Sequence, residues 1–256
     1  MELTRILATL CFLTALLTGP ATAHERFALV IGNAAYTDVP ALDNPVNDAR
    51  LISDELRAAG FAVTTLTDVT RAEMMQEVET FASTVRAAGS EALAVFYFAG
   101  HGVRSKEFNY LLPLNATITS EADIPDAAVP AEWVLDRIHT PQAVTVMILD
   151  ACRNNPFGGQ ADVVADTGDG LARMTPRENN LIAYATGPGD VALDGTGSNS
   201  PYSAAIARAI GTSGLTLDKL FDRVREDVIT ETNGTQSPWA RSSLKIRIGM
   251  RDPAAN

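Results

Sequence analysis

Two residues of this chain have the type and setting for nucleophilic catalysis. Cys152 sits in Ile148-Leu149-Asp150-Ala151-Cys152-Arg153-Asn154, and His101 lies 51 positions upstream, in Tyr97-Phe98-Ala99-Gly100-His101-Gly102. A cysteine attacks a carbonyl as its thiolate, and a free thiol with a pKa of about 8.5 is only a few per cent ionised at neutral pH, so a neighbouring base is required. His101 can be that base if the strands carrying the two residues are neighbours. Gly102 permits close backbone approach, and its N–H together with that of Cys152 is the natural donor pair for an oxyanion. Taken singly, Cys152 also reads as an inert buried thiol and His101 as a hydrogen-bonded loop residue. Their joint position at strand ends, beside Gly100, Gly102 and Ala151, favours one shared site. Other cysteine chemistries fit less well: a phosphatase loop needs an Arg six residues after the Cys, where Gly158 stands. Nor does the mature chain hold a second Cys for a redox pair or a zinc site, so no metal is expected.

The other cysteine, Cys11, lies in a segment that reads as an export signal over residues 1–23: Arg5, an apolar stretch from Ile6 to Leu17, and Ala21-Thr22-Ala23 as the cleavage motif. The stretch is shorter than the roughly 20 residues that span a bilayer, and Thr18-Gly19-Pro20 breaks it. Removal of this segment leaves a single thiol in an exported, periplasmic or secreted protein. One thiol cannot form an intramolecular disulfide, which is a further reason to assign Cys152 a chemical role. The net charge of −11, a pI near 4.7 and the lack of any Lys/Arg run exclude the electrostatic footprint of nucleic-acid or anionic-membrane binding. The negative surface favours basic partners or substrates.

The pattern along the chain supplies elements that can hold such a site. Phe27 to Gly32, Phe61 to Leu66, Ala92 to Phe98, Val144 to Leu149 and Leu181 to Thr186 are short apolar runs suited to strands buried on both faces. Between and after them, Asp48 to Ala59, Arg71 to Ala88, Ala131 to Ile138, Tyr202 to Ile210 and Thr216 to Thr230 carry apolar residues at helical spacing. Leu244 to Ile248 reads as a last strand. Strands alternating with helices imply an α/β fold with a mostly parallel sheet covered on both faces by helices. Both chemical residues then fall at the carboxyl ends of strands, where open α/β sheets place their sites. His139 reads as a helix-end residue and His24 as the new N-terminus. Phe157 to Asn180 is rich in Gly and Asp and reads as a loop or linker.

The chain resembles the caspase-like cysteine peptidases of bacteria, related to metacaspases and paracaspases, from about Arg26 to Ile248. The matching segments are Phe27 to Tyr36, Asn47-Asp48-Ala49, Tyr97 to Gly102, Asp150 to Pro156 and Asp194 to Tyr202. The resemblance implies a three-layer sandwich over residues 24–256, with a large part of about 26–156, a linker of about 157–180 and a small part of about 181–250. It also implies Cys152 as nucleophile and His101 as general acid/base. Caspases proper are similar in holding an acidic substrate residue with arginines. Metacaspases and paracaspases use carboxylates, at positions matched here by Asp48 and Asp150, which implies protein or peptide substrates cut after Arg or Lys. Asp150, two residues before Cys152, shares its side of an extended strand end. No cofactor is called for, since Glu121, Asp123 and Asp126 read as a solvated loop rather than the calcium site of some metacaspases. A catalytically silent interaction or signalling module, or a peptidase of the same fold cutting after Asn or Asp, are the alternatives. Arg173 and Arg177 in the linker are the expected positions of any self-processing.

Overall fold

The computed structural model describes residues 25–89, 92–151, 156–157 and 170–251. The expected export signal, Cys152 and residues 158–169 of the expected linker lie outside the described residues.

The strands and helices follow the apolar pattern. β3 (Ala92–Ala99) is apolar throughout and every residue of it is buried, as a central strand with both faces covered must be. β1 (Glu25–Gly32) pairs with it in parallel on one side and β7 (Val144–Asp150) on the other. β2 (Ala62–Thr67) lies outside β1, β8 (Asn180–Tyr184) outside β7, and β9 (Trp239–Ser242) closes that edge antiparallel to β8. The sheet order is therefore β2-β1-β3-β7-β8-β9. From β1 the chain first moves outward to β2 and then returns past β1 to β3. Right-handed crossovers place α1 (Pro45–Ala58) and α2 (Arg71–Ala88) on opposite faces. α5 (Pro201–Gly211) and α6 (Leu217–Glu231) join the layer of α1, and α4 (Ala131–Ile138) that of α2, giving the expected three layers. Strand order reverses between β1 and β3, so the crevice at their carboxyl ends is where a site belongs.

Local sequence explains the helix ends. Thr70 accepts a hydrogen bond from the Glu73 N–H and Glu73 accepts one from the Thr70 N–H, a capping box that starts α2 and holds the Glu73 carboxyl below its ordinary range. Met74, Val78, Phe81, Ala82 and Val85 then form its buried stripe. α1 starts at Pro45, whose missing N–H costs nothing in the first turn. That turn sits directly on the end of β1: a Cβ on Gly32 would lie 2.2 Å from the Pro45 carbonyl oxygen, so only glycine fits.

Three expectations are corrected. The polar stretch after His101 contains a hairpin, β4 (Gly102–Ser105) and β5 (Phe108–Leu111), extended by the two-residue β6 (Val129–Pro130) behind the short helix α3 (Ile124–Ala127). Its turn uses Lys106 at φ 55°, without the Asn-Gly or Asp-Gly signal by which hairpins are recognised. The last strand is Trp239–Ser242 rather than Leu244 to Ile248, because β8 begins at Asn180 and the ladder has no partner beyond Ser243. Ile248 instead accepts the Leu217 N–H and closes the start of α6. Finally, residues 170–180 are packed rather than linker-like. Leu171 and Met174 are core residues, and the Ala172 N–H and carbonyl pair with the Asn109 side chain at 2.6 and 2.9 Å. Arg177 is ion-paired to Asp136 at 2.7 Å, and Arg173 lies over the Trp239 ring. The side chains at both expected processing positions thus make contacts, while both residues remain exposed. Among the described residues no helix is long and apolar enough to cross a membrane.

Candidate active site

The pairing of β3 with β7 brings the two chemical segments together. Ala99 is the register partner of Asp150, and the Gly100 N–H donates to the Asp150 carbonyl at 3.3 Å, so His101 and Ala151 follow the ends of adjacent strands. A Cβ on Gly102 would lie 2.6 Å from the Ala151 carbonyl oxygen, which shows how closely the two loops pass. Leu112 donates its N–H to the His101 carbonyl, making Gly102–Leu111 a non-hydrogen-bonded pair of the β4–β5 ladder. The Gly102 N–H therefore points away from β5.

The histidine itself is buried, with 4% of its surface exposed. Its Nε2 lies 2.7 Å from the Pro40 carbonyl oxygen. A carbonyl only accepts, so Nε2 carries a proton and the lone pair of the neutral ring is on Nδ1. Nδ1 is thus the ring atom able to take a proton. The Tyr36 ring packs against the imidazole at 4.8 Å, and its hydroxyl accepts the His101 N–H at 3.0 Å while donating to the Leu112 carbonyl at 3.0 Å. The β1–α1 loop that carries Tyr36 and Pro40 is held in turn. Asp68 Oδ1 accepts the Ala34 and Ala35 N–H groups at 2.8 and 2.9 Å, and buried Asn33 bonds Val69 and Leu112.

Two carboxylates stand beside this centre. Asp48, in the first turn of α1, and Asp150, the last residue of β7, are both fully buried. They meet at Ser200, the N-cap of α5. Its N–H donates to Asp48 Oδ1 at 3.0 Å and its hydroxyl to Asp150 Oδ2 at 2.5 Å. Asn199 Nδ2 adds a second donor to Asp48 at 2.9 Å, and Ser203 Oγ a second to Asp150 at 2.9 Å. The loop leading into α5 is joined to the start of α1 as well: Asp194 accepts the Asp43 N–H at 3.0 Å and, through its carbonyl, the Asn44 amide. Like charges at such proximity are tolerable only with donors of this kind around them.

The acidic cluster behind β4 has local partners. Asp123 Oδ2 accepts from the backbone and hydroxyls of Thr119 and Ser120, bonds that hold its carboxyl low, and Glu121 accepts the Ser105 hydroxyl. Among the described residues no group of three His, Cys, Asp or Glu side chains could hold a metal ion.

A family model described as the caspase domain matches residues 25–247. The chain belongs to the caspase-domain family. This is a family of cysteine peptidases with protein substrates, and its α/β architecture is the one described above. The caspase domain here is 27% identical over 244 residues to the mucosa-associated lymphoid tissue lymphoma translocation protein 1 homolog of Mus musculus, covering 92% of this chain and 28% of the relative. It is also 27% identical, over 239 residues, to the mucosa-associated lymphoid tissue lymphoma translocation protein 1 of Homo sapiens, covering 90% of this chain and 27% of the relative. The chain thus spans little more than a quarter of the length of these relatives.

Of the site residues read from the sequence, this caspase-domain structure brings His101, Gly102 and the Asp150–Ala151 approach to Cys152 to one end of the sheet. Asp48 and Asp150 come together around a shared partner. Cys152 lies outside the described residues. Ser200, Ser203 and Asn199 were not read as site residues, although Ser200-Pro201 is a recognisable helix start with a Ser cap and Pro at the first position. Tyr36 and the Pro40 carbonyl had no sequence signal, since their roles depend on how the loop folds back over His101.

Proposed function

We propose that the protein is an exported cysteine endopeptidase in which Cys152 is the nucleophile, His101 the general acid/base, and Asp48 and Asp150 the groups that receive an Arg or Lys side chain before the cleaved bond. The observation that carries this reading is the His101 geometry: Nε2–H is committed to Pro40, and the ring stands at the strand end next to the one that leads into Cys152. Nδ1 accepts the thiol proton as sulfur attacks the scissile carbonyl carbon. The oxygen gathers charge opposite the N–H groups of Gly102 and Cys152, donors of the kind worth about 3 kcal/mol each in acyl transfer. The imidazolium, with its Nε2–H still on the Pro40 carbonyl, then gives its proton to the departing amine as the C–N bond breaks. A water deprotonated at the same Nδ1 attacks the thioester carbon and releases the thiolate, and the proton returns to restore the dyad. Selection of a basic side chain is supported by two carboxylates converging within one hydrogen-bonded cluster; removing one partner of such a buried pair costs about 2–5 kcal/mol.

The test is turnover of peptides that differ only in the residue before the cleaved bond, with mature wild type, Cys152→Ala and His101→Ala. Cleavage after Arg and Lys by the wild type alone, with stoichiometric alkylation of Cys152, is expected. Undiminished turnover by either folded variant overturns the dyad, and cleavage after Asp but not Arg overturns the pocket.

A further inference from the structure

Tyr97 is hard to account for by packing. It is fully buried in the middle of β3, between Phe96 and Phe98 in the run Ala-Leu-Ala-Val-Phe-Tyr-Phe-Ala, where a third Phe would fill the same space. A hydroxyl taken out of water there is costly unless it is bonded. Its partner is Ser203 Oγ at 2.6 Å, and Ser203 Oγ lies 2.9 Å from Asp150 Oδ2. The protons can be followed. A carboxylate oxygen only accepts, so the Ser203 hydroxyl proton points to Asp150, and Tyr97 must be the donor to Ser203. Ser200 likewise directs its hydroxyl proton to Asp150 Oδ2 and accepts the Ser203 N–H at 3.0 Å. Capping α5 requires only this last bond. The rest of the network fixes the rotors of both serines and ends on one carboxylate oxygen.

We infer that Ser200, Ser203 and Tyr97 are positioning residues for substrate selection: a buried hydroxyl relay that runs from the sheet core through the first turn of α5 and fixes the Asp150 carboxylate for a basic side chain. The inference rests on the proposed role of Asp150 in receiving Arg or Lys. The relay presents two hydroxyl protons to one oxygen, so the carboxylate plane cannot rotate without breaking a charge-assisted bond. The positive end of the α5 dipole, on the same two residues, adds to this fixation.

The experiment compares Tyr97→Phe, which keeps the volume, and Ser203→Ala with the wild type on two peptides, one with Arg and one with its uncharged isostere citrulline before the cleaved bond. Loss of one hydrogen bond to a charged group corresponds to about a 10-fold or larger fall in the Arg-to-citrulline ratio of kcat/KM for Ser203→Ala, and loss of the remoter Tyr97 hydroxyl to roughly 3-fold or more. The effect falls on KM for the Arg peptide. Cys152 alkylation reports the dyad separately, and binding of the Arg peptide to the Tyr97→Phe/Cys152→Ala double variant gives the same comparison without turnover. A wild type that prefers Arg, with both ratios unchanged in the folded variants, overturns the relay alone. A wild type with no basic preference overturns the pocket reading, and the relay with it.

Discussion

Replacing Tyr36 with Phe removes one oxygen atom, and the structure says where the cost falls. The hydroxyl accepts from the His101 N–H and donates to the Leu112 carbonyl. Leu112 retains the Asn33 amide at 3.2 Å, so its oxygen stays satisfied. The His101 N–H, in a residue 4% exposed, is left without that acceptor. A buried donor stripped of its partner costs about 1–3 kcal/mol, whereas a carbonyl that keeps one bond costs little, so Tyr36→Phe should destabilise the domain by about 1–3 kcal/mol. The ring of Phe still flanks the imidazole. Any share of this cost relieved by displacement of the His101 backbone appears in the chemistry: at 1.4 kcal/mol per decade, the full range corresponds to roughly 5- to 150-fold in kcat/KM. Urea denaturation of wild type and variant, together with peptide turnover and Cys152 alkylation across pH, measures both. A variant with unchanged midpoint and unchanged rates would refute the assignment of this hydroxyl as the support of His101. Gly100 sets the same constraint from the other side, since a Cβ there would lie 2.6 Å from the Tyr36 oxygen.

Further outcomes follow from the same geometry. Asp150→Asn should lower kcat/KM for Arg and Lys peptides by about 30-fold or more, from the lower figure of about 2 kcal/mol for a broken buried pair, and an unchanged value would remove Asp150 from selection. Gly32→Ala should destabilise the domain by about 3 kcal/mol, because its Cβ would meet a backbone oxygen that cannot move without shifting α1; a neutral effect in urea denaturation would contradict the contact. Burial pushes the Glu132 carboxyl above its ordinary 4.5, so the folded state holds this proton to higher pH than the unfolded chain does. The stabilising effect of that proton is present below the ordinary value and is lost as pH rises through the raised one. Glu132→Gln has no such loss, and its stability relative to wild type should rise across that interval; a pH-independent difference between the two would refute it.

The positions of the parallel strands were readable because a doubly covered parallel strand leaves a run such as Ala92–Ala99 with no alternative to burial, and α2 because its capping box, apolar stripe and terminal Gly89 all agree. The hairpin after His101 was hidden because its turn lacks glycine signals and its strands are four residues each. Leu244, Ile246 and Ile248 alternate as a strand does, yet the length of β8, set far away in sequence, decides where pairing stops. The glycines and aspartates of 157–180 suggested a linker throughout, and local composition does not reveal that Leu171 and Met174 reach the core. In the site, residue type and spacing singled out His101, and the family resemblance singled out Asp48 and Asp150, whose chemistry is intrinsic to their side chains. Ser200, Ser203, Tyr36 and the Pro40 carbonyl are ordinary groups that acquire a role only through neighbours brought by the fold.

The ownership of the acidic cluster has a consequence for assembly. Asp48 and Asp150 come from the part of the chain before residue 158, and Asn199, Ser200 and Ser203 from the part after 169. The first part alone therefore carries two neighbouring negative charges without the donors that make them compatible, and the second carries the donors without the charges. Each is the other's counterpart. A chain severed between them would regain the proposed selectivity only when the pieces had docked in register, with β8 against β7 and α5 against α1. Discrimination between charged and uncharged peptides would then serve as a gauge of correct docking, more exacting than any measure of compactness, because it requires Asn199, Ser200 and Ser203 to meet both carboxylates.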